Sequence, residues 1–410
     1  MNVLLINSSD GCGGAAIAAL RLHQGLLSQG IEAHFLVGNC QNPSQYIAAI
    51  PRNYRIETLI GRLTRRCGFN DFNSISTFDI PQHSFYQSAD ILNFHNLHGG
   101  YFNYLALSKL TEQKPAILTL HDMWSFTGHC VYSFDCNRWK TGCGNCPYPN
   151  TYPAIQWDST AIEWRLKQKA FSHANLAIVT LSNWLTKQVQ QSFLNHLPIH
   201  YIPNGIDTTI YRPLDQKQCR AILGIPEGKR VLMFAAQNLL DPRKGSDLLF
   251  QALQSLPGNL RAEIVLLTIG SEQIQIAQTF EMTTYHLGYV SSDRLKAIIY
   301  SAADLFVFPT RADNLPIVLQ ESMACGTPMV SFKIGGVPDL VRPNITGYLA
   351  EPENALDLGK GIFELLENHS LLNSMRQRCR EVALSEYSIQ LQVQRYIYLY
   401  QQFISTALEH

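Results

Sequence analysis

Residues 3–37 read VLLINSSDGCGGAAIAALRLHQGLLSQGIEAHFLV, and this stretch decides the fold. Val3 to Ile6 is a short apolar strand that ends in polar turn residues and a glycine turn. A periodic apolar segment follows from Ala15 to Leu27, and Gly30 closes it as a helix C-terminal signal. The next strand, His34 to Val37, comes directly after. Strand, glycine turn, helix and strand form a βαβ unit, which predicts a parallel sheet covered by helices on both faces.

The same alternation continues along the chain and then restarts. Buried strands of the first half are predicted at 91–94, 116–120, 176–181 and 201–205. The second half has predicted strands at 231–235, 264–270, 285–290, 304–309 and 329–332. Helices are predicted at 246–256, from Pro316 and over the aromatic-rich stretch 390–403. Two α/β halves of similar size predict two Rossmann-like domains whose strand carboxyl ends face a shared cleft.

Length and composition limit the class of protein. A chain of 410 residues is too long for one typical core, which favours two domains. Lys+Arg and Asp+Glu both number 32, so no excess positive charge indicates a nucleic-acid groove. No apolar run reaches the roughly 18 residues that span a bilayer, and the N-terminus lacks the basic region of a signal peptide. We therefore expect a cytoplasmic protein, without a strongly basic amphipathic helix.

The most informative segment of the second half is 313–328, DNLPIVLQESMACGTP. Asp313 lies in the loop after an apolar strand, Pro316 suits the first turn of the next helix, and Glu321 lies on the second turn. Free N–H groups and the helix dipole at such a helix start favour an anion such as a diphosphate. Carboxylates on either side can accept hydrogen bonds from sugar hydroxyls.

A second loop of this half, 241–246, carries two cations, Arg243 and Lys244, that would pair with the same phosphates. Each feature alone has a simpler interpretation. Asp313 could be a helix cap, Lys244 could be solvated, and Glu321 could face solvent. Together, at matching loop positions of one domain, these residues favour an anionic nucleotide ligand.

These residues resemble the E-x7-E region of retaining, family 4-type glycosyltransferases with the two-Rossmann GT-B architecture. The resemblance extends over nearly the whole chain. It includes Gly13-Gly14, IPNGID at 202–207, Arg243-Lys244-Gly245, GGVPDLV at 335–341 and NITGYL at 344–349. It implies an acceptor domain over 1–203, a nucleotide-sugar donor domain over 204–386, and a C-terminal helix, 387–410, that crosses back to the first domain.

The resemblance also implies roles for single residues. Glu321 would bind the nucleotide ribose, and Asp313 would contact hydroxyls of the donor sugar. The backbone around Asn314 and Leu315 would hold the diphosphate or the sugar, with Lys244 balancing the phosphate charge. The other implied nucleotide-binding residues are Gly13, Gly14, Arg243, Val290 and Pro316.

Two departures from the family pattern affect the donor site. Asp313 stands where the family has Glu and is one methylene shorter, so the donor geometry differs. The family's Arg before the Lys-Gly pair is replaced by Asn238 and Leu239, and Arg243 is the candidate substitute. Enzymes of this kind need no catalytic metal, and no Asp-x-Asp stands in a position suited to bind one.

His121 follows the predicted strand 116–120, at the edge where a ligand cleft would open. A buried histidine satisfied by a carbonyl is the alternative interpretation. The family places a His here that hydrogen-bonds the donor sugar and stabilises the transition state, so His121 is, together with Asp313, a predicted catalytic residue. His95 and His98 end a neighbouring strand and are candidates for lining the acceptor side.

Cys130, Cys136, Cys143 and Cys146 form C-x5-C-x6-C-x2-C in the loop after His121. Four thiolates with a terminal C-x2-C suit a tetrahedral structural zinc, although the first spacing is wide. Two disulfides or four free thiols are the alternatives. In each case the loop would fix one wall of the acceptor site.

The leading hypothesis is a retaining hexosyltransferase that moves a sugar from a nucleotide-diphosphate donor to a growing glycan or lipid-linked saccharide. Relatives that resemble this chain commonly act in exopolysaccharide or lipopolysaccharide assembly. A lipid-linked acceptor would bring the protein to the inner face of the membrane as a peripheral protein. The alternatives are a sucrose-synthase-type or hydrolytic enzyme, a non-catalytic nucleotide-sugar sensor, and a zinc-organised interaction protein.

Overall fold

The computed structural model describes residues 1–11, 13–272 and 282–408. Cys12 of the predicted glycine turn and the last two residues of the predicted final helix lie outside the described residues.

The chain divides into two compact units. Unit 1 contains Met1–Pro203 and Gln392–His410, and unit 2 contains Asn204–Leu391. Each unit has its own parallel sheet with helices, so the protein has the predicted α/β fold of two Rossmann-like units.

The described part of unit 1 contains a parallel sheet with the strand order β3-β2-β1-β4-β5-β6-β7. The strands are β1 Asn2–Ser9, β2 Glu32–Asn39, β3 Ile47–Ala49, β4 Ile91–Phe94, β5 Ala116–Leu120, β6 Leu176–Thr180 and β7 Ile199–Tyr201. Every residue of β4, β5 and β6 is buried, which is why these strands read as continuous apolar runs rather than alternating ones. The strand order reverses between β1 and β4, so the loops after these two strands flank the switch point.

The helices of the segment Met1–Pro203 range from 5 to 15 residues in length. They are α1 Gly14–Ser28, α2 Tyr54–Arg66, α3 Ser84–Ser88, α4 Leu107–Thr111, α5 Thr160–Ser172 and α6 Asn183–Gln190. A core of aliphatic and aromatic side chains, including Phe94, Phe102 and Phe126, lies between sheet and helices.

In unit 2 the described strands form a parallel sheet with the order β10-β9-β8-β11-β12-β13. The strands are β8 Arg230–Asn238, β9 Ile264–Ser271, β10 Thr283–His286, β11 Leu305–Phe308, β12 Met329–Phe332 and β13 Gly347–Ala350. The order reverses between β8 and β11. The loops after β8 and β11 therefore flank the place where open α/β sheets bind their ligands.

The helices of unit 2 surround this sheet. They are α7 Gln216–Ile222, α8 Ser246–Gln254, α9 Gly258–Glu263, α10 Asp293–Ala302, α11 Ile317–Ala324, α12 Val337–Leu340, α13 Ala355–Glu367 and α14 His369–Glu386. The last helix of the chain, α15 Ile389–Leu408, runs into the part assigned to unit 1. There the Tyr396 hydroxyl lies 2.9 Å from Oγ1 of Thr119, and Asn93 donates a 2.7 Å hydrogen bond to the Tyr400 hydroxyl. These buried polar contacts bind α15 to β4 and β5.

Several element boundaries differ from the sequence predictions. The predicted strand at 201–205 is wrong in position, because β7 spans Ile199–Tyr201. Pro316 caps α11 rather than lying in its first turn, with an extended ψ of 120° that keeps it outside the helix. The short edge strands β3 and β13 were not predicted, because neither has an apolar run long enough to stand out from its surroundings.

The expectation that the chain has no strongly basic amphipathic helix is wrong for α2. Its arginines and its apolar residues alternate along the sequence, so a linear reading finds no charge run, yet on the helix they form two adjacent rows. Among the described helices, none combines the length and apolarity needed to cross a bilayer.

Candidate active site

Two loops of unit 2 are bound together at the carboxyl edge of its sheet. The loop after β8 carries Arg243 and Lys244, and the loop after β11 carries Asp313. The amide of Arg311 donates to the carbonyl oxygen of Arg243 at 2.8 Å, and the hydroxyl oxygen of Thr310 lies 3.1 Å from the same oxygen. A backbone hydrogen bond thus joins the two loops that flank the switch point.

The Asp313 carboxylate is the centre of a small charge cluster. It lies 2.7 Å from Nζ of Lys244 and 3.2 Å from Nη1 of Arg243, and it accepts a 2.8 Å hydrogen bond from Thr310. Burial alone would raise the pKa of Asp313, but Lys244 and Arg243 outweigh burial and lower it below its usual value. Asp313 is therefore ionised at neutral pH. Burial lowers the pKa of Lys244, and the nearby Asp313 carboxylate opposes that change.

Two left-handed glycines permit the close approach of these loops. Gly245 has φ of 72°, and a Cβ there would lie 1.9 Å from the carbonyl oxygen of Pro309. Gly335 has φ of 53°, and a Cβ there would lie 2.0 Å from the carbonyl oxygen of Asp313. Both distances are below any real carbon–oxygen contact. The glycines of the Lys-Gly and Gly-Gly motifs are thus required by the geometry around Asp313.

Helix α11 begins immediately after this cluster. Its cap, Pro316, makes no side-chain hydrogen bond to the helix start, and Asn314 and Leu315 before it are buried. The N-terminus of α11 therefore directs the positive end of its dipole toward the loop that holds Asp313. Such an end, next to Lys244, has the chemistry of an anion site.

Glu321, on the second turn of α11, is almost completely buried. Its two carboxylate oxygens lie 3.0 Å from the hydroxyl of Tyr211 and 3.1 Å from the hydroxyl of Tyr300. The Tyr211 hydroxyl also lies 2.8 Å from Asp293. The interpretation of Glu321 as a solvent-facing residue is therefore wrong. Neither tyrosine was predicted, because nothing in the local sequence links them to a residue on another helix.

Val290, the remaining residue assigned to the nucleotide, is buried in the segment between β10 and α10. Leu239, which together with Asn238 stands where the family has an Arg, is fully buried and contributes to the core of unit 2. Arg243 lies close to Asp313, as a substitute would, but it also donates a 2.8 Å hydrogen bond to the carbonyl oxygen of Ala312.

In unit 1 the predicted His121 is paired with another histidine. Nε2 of His121 lies 3.0 Å from Nδ1 of His95, so one ring donates to the other. Burial lowers the pKa of His121 to about 4, and it lowers the pKa of His95 well below its usual value. Both rings are therefore neutral at neutral pH. His121 is a hydrogen-bonding group at that pH rather than a cation.

A second pair extends this cluster. Nε2 of His98 lies 2.9 Å from Asp122, and Asp122 also accepts a 2.8 Å hydrogen bond from the Trp124 amide. Burial would raise the pKa of Asp122, but His98 outweighs burial and lowers it. Asp71, which the sequence did not indicate, accepts a 2.7 Å hydrogen bond from the amide of Gly100. The three histidines that sequence analysis singled out thus lie in one polar cluster after β4 and β5.

Lys167, which sequence analysis did not identify, contacts the backbone of the loop that follows β5. Its ammonium group is fully buried, donates to the carbonyl oxygens of Trp124 and Thr127 at 2.8 and 3.0 Å, and lies 3.5 Å from the Trp124 ring centre. Burial lowers its pKa to about 8, and Glu163 opposes that change. A signal was present in the sequence, because Lys167 lies between Trp164 and Phe171 at helical spacing on the apolar side of α5.

The glycine turn Gly13-Gly14 lies at the switch point of unit 1. Gly13 has φ of 91°, and α1 begins at Gly14 without a side-chain hydrogen bond capping it. The start of α1 is therefore a second helix N-terminus at a switch point, as the resemblance requires for a contact to phosphate.

The four cysteines of the loop, Cys130, Cys136, Cys143 and Cys146, are not joined by disulfides in the structure. Nε2 of His129 lies 3.2 Å from Sγ of Cys146, and the Gly128 amide donates to Sγ of Cys143 at 3.3 Å. Within the described part of the chain, no three His, Cys, Asp or Glu side chains are arranged as a ready metal site.

Unit 1 also contains a polar cavity of about 270 Å³ beside α2. Its lining includes Arg52 and Arg65 together with the left-handed glycines Gly99 and Gly100, which follow β4. Arg52 pairs with the buried Glu57 at 2.6 Å. The cavity is bounded by the segment that carries His98, and its lining combines guanidinium groups, amides and backbone, which suits a polar or anionic ligand.

Two family models match the chain. The model described as Glycosyltransferase Family 4 matches residues 12–210, and the model described as Glycosyl transferases group 1 matches residues 215–383. Two doubly wound α/β units with helix N-termini at both switch points define the GT-B class of glycosyltransferases. Within that class, the chain belongs to the group 1 glycosyl transferases, and it is a transferase enzyme.

Named relatives agree with this assignment. A colanic acid biosynthesis glycosyl transferase of Escherichia coli is 27% identical over 427 residues, covering 98% of this chain and 100% of the relative. A D-inositol 3-phosphate glycosyltransferase of Catenulispora acidiphila is 30% identical over 192 residues, which are 43% of this chain and 46% of the relative.

Solved structures share the fold over the whole chain. A sucrose-phosphate synthase from Thermosynechococcus elongatus has a TM-score of 0.73 at 18% identity, covering 99% of this chain and 100% of its own. An Anabaena protein in complex with UDP and glucose has a TM-score of 0.69 at 16% identity, covering 98% and 100%. At these identities the likeness establishes the fold.

Proposed function

We propose that this enzyme is a retaining glycosyltransferase that moves a hexose from a nucleotide-diphosphate sugar to a growing glycan or lipid-linked saccharide. The observation that carries the proposal is the charge cluster of Lys244, Arg243 and Asp313 at the N-terminus of α11. It combines two cations for a diphosphate with one carboxylate for sugar hydroxyls. The Anabaena structure with UDP and glucose, and the Escherichia coli relative from colanic acid biosynthesis, support a UDP-sugar donor and a role in polysaccharide assembly.

In this proposal each residue of unit 2 has one task. Lys244 and Arg243 stabilise the leaving diphosphate, together with the backbone amides at the start of α11. Asp313 orients the transferred sugar through its hydroxyl groups. Glu321 accepts hydrogen bonds from the ribose, beside the two tyrosine hydroxyls that already fix its carboxylate.

Unit 1 supplies the acceptor side. We assign to His121 a hydrogen bond to the transferred sugar, given by a neutral ring whose orientation His95 fixes. Retention needs charge stabilisation at the anomeric carbon and at the leaving phosphate, which hydrogen bonds and dipoles can supply without a strong base. The cavity beside α2, with Arg52 and Arg65 in its lining, is the proposed binding site for the polar part of the acceptor.

The test is calorimetric titration of the purified protein with UDP-, GDP- and ADP-glucose, alongside Glu321→Gln. We expect one nucleotide class to bind, and we expect Glu321→Gln to weaken binding of the free nucleoside diphosphate and of the full donor equally, because the ribose is common to both. If Glu321→Gln lowers the unfolding temperature but leaves both affinities unchanged, Glu321 only positions Tyr211 and Tyr300. If folded protein binds none of the three donors, the proposed donor site is wrong. If one donor binds and its sugar is transferred, NMR of the product decides whether the reaction is retaining, since a retaining enzyme conserves the anomeric configuration of the donor.

A further inference from the structure

Helix α2 has one buried side and one broad exposed side. Glu57 and Gly61 are its buried residues, and Asn53 caps its first turn by accepting a hydrogen bond from the Ile56 amide. Glu57 is the only acidic residue of the helix. Its carboxylate forms an ion pair with Arg52 at 2.6 Å and accepts a 2.9 Å hydrogen bond from the Ser76 amide. The exposed side of α2 therefore carries no negative charge of its own.

A continuous apolar stripe runs along this exposed side. Ile56, Leu59 and Leu63 are 46%, 62% and 64% exposed. At 100° per residue these three positions fall within about 60° of one another, so they form one stripe rather than scattered points. Single exposed leucines are ordinary, but three large aliphatic side chains in line on one helix indicate an interaction surface.

A row of arginines lies directly beside the stripe. Arg55, Arg62 and Arg66 are exposed and fall within about 40° of one another on the helix, next to Leu59. Among the described residues, no carboxylate forms an ion pair with any of the three. The whole chain has equal numbers of acidic and basic residues, so this row is a local concentration of positive charge on a neutral protein.

We propose that the exposed side of α2 docks on an anionic phospholipid surface, with the helix axis parallel to the membrane plane. Ile56, Leu59 and Leu63 enter the boundary between headgroups and acyl chains, and the arginine row pairs with lipid phosphates. Adjacent apolar and cationic sides on one helix are the pattern of an interfacial helix.

A second copy of the chain fits this surface poorly. In a two-fold dimer the same patch meets itself, so three arginines from each copy would be brought together with no acidic residue to offset them. An anionic bilayer satisfies both rows at once, because it offers phosphates beside a continuous apolar phase. Charge complementarity therefore selects the membrane as the occupant.

Docking through α2 has a consequence that rests on the proposed function. The cavity assigned to the acceptor uses Tyr54, Thr58 and Arg65 of the same helix in its lining. These three residues lie on the side of α2 away from the apolar stripe, so a membrane-bound α2 would hold this cavity one helix diameter, about 10 Å, from the lipid surface. The headgroup end of a lipid-linked saccharide could then reach it without leaving the bilayer.

The experiment is vesicle sedimentation of the full chain with no donor or acceptor present, so its outcome is independent of the transferase proposal. Vesicles of phosphatidylcholine with phosphatidylglycerol are compared with pure phosphatidylcholine. The variants are Leu59→Ser/Leu63→Ser and Arg55→Gln/Arg62→Gln/Arg66→Gln. The matched controls are Leu356→Ser/Leu384→Ser, which removes two leucines exposed elsewhere, and Arg212→Gln/Arg294→Gln/Arg378→Gln, which removes three exposed arginines of unit 2.

We expect wild-type protein to bind the anionic vesicles and to lose binding as salt is raised. Each α2 variant should weaken vesicle binding at least about 10-fold, because each neutralised arginine and each removed leucine contributes separately, and both controls should bind like wild type. The proposal is overturned if wild-type protein ignores anionic vesicles, or if α2 variants and controls bind alike. It is also overturned if light scattering shows a dimer that Leu59→Ser/Leu63→Ser dissociates, since the second copy would then be the occupant.

Discussion

The ammonium group of Lys244 lies 2.7 Å from Oδ2 of Asp313, and this ion pair joins the loops that follow β8 and β11. The pair places a cation and an anion at the switch point of unit 2 with their charges mutually balanced. A diphosphate that binds there would compete with Asp313 for Lys244 and leave the carboxylate to accept hydrogen bonds from the sugar.

Lys244→Met tests this arrangement. We expect kcat/KM for the donor to fall by at least about 100-fold, because the substitution removes a charged contact to the leaving phosphates. The control is Lys360→Met on α13, where the lysine is exposed and pairs only weakly with Glu364 at 3.8 Å. Equal kcat/KM values for the two variants would show that Lys244 does not contribute to donor binding or transfer.

Gly335→Ala tests the geometry around Asp313 without changing any charge. A Cβ at Gly335 would collide with the Asp313 carbonyl oxygen in addition to the strain of its positive φ. Gly228→Ala is the control, because Gly228 has φ of 76° and nothing within 4 Å of a Cβ. We expect the control to lose about 1 kcal/mol of unfolding free energy and Gly335→Ala to lose more, together with donor affinity. Similar losses of stability in urea denaturation would mean that the loop moves aside freely.

The part of this site that the sequence could predict is the part encoded locally. Asp313, Pro316 and Glu321 lie within nine residues that read as loop and helix, and Lys244 lies in a loop that must meet theirs once the strands are parallel. The partners of Glu321 could not be found this way, because Tyr211 is 110 residues distant and no local pattern links the two. The surface of α2 was missed for a different reason, since Arg and Leu alternate in sequence and separate only on the helix.

Proton binding to His121 should have a visible effect on the pH profile of activity. Burial lowers its pKa to about 4, so the ring stays neutral from pH 8 down to about pH 5. We expect no inflexion in kcat near pH 6.5, and a fall only as the pH approaches about 4, where His121 takes up a proton. Circular dichroism at each pH separates this loss from unfolding. An inflexion near pH 6.5 that disappears in His121→Asn would contradict the lowered pKa.

Buried histidines with lowered pKa values affect stability with a definite sign. Like His121, the buried His23 of α1 has a folded pKa of about 4, so it binds its proton more weakly than in the unfolded chain, where its pKa is near 6.5. Its contribution to stability is therefore complete above pH 6.5 and is lost as the pH falls toward 4.

Lys167 should be a stability determinant of the loop that carries Asp122. In Lys167→Met the carbonyl groups of Trp124 and Thr127 lose their donor, which we expect to cost about 3 kcal/mol. Burial raises the pKa of Glu163 to about 7, and losing the nearby Lys167 would raise it further, so this carboxyl would be protonated at neutral pH. The double variant Lys167→Met/Glu163→Gln should therefore match Lys167→Met at neutral pH and be the more stable of the two at higher pH, where Glu163 ionises without a nearby cation. Lys169→Met, exposed on the same helix, is the control. Thermal unfolding of wild type, Lys167→Met, Glu163→Gln and the double variant measures the coupling, and full additivity would show that Lys167 and Glu163 act separately.

We propose that the four-cysteine loop binds a structural zinc ion. The protonation of its thiols determines how this proposal can be tested. Burial raises the pKa of Cys130 to about 12 and of Cys143 to about 11, so without added positive charge both keep their protons. Zinc would supply that charge and bind the thiolates, but the side chains must first rotate onto a shared centre. We expect elemental analysis to find about one zinc per chain, because one tetrahedral ion uses all four thiolates. Cys143→Ser should lower the zinc content, whereas Cys67→Ser, an exposed thiol outside the loop, should leave it unchanged. Metal-free protein in which all four thiols react with a thiol reagent would establish free cysteines. Resistance to that reagent until a reductant is added would establish disulfides.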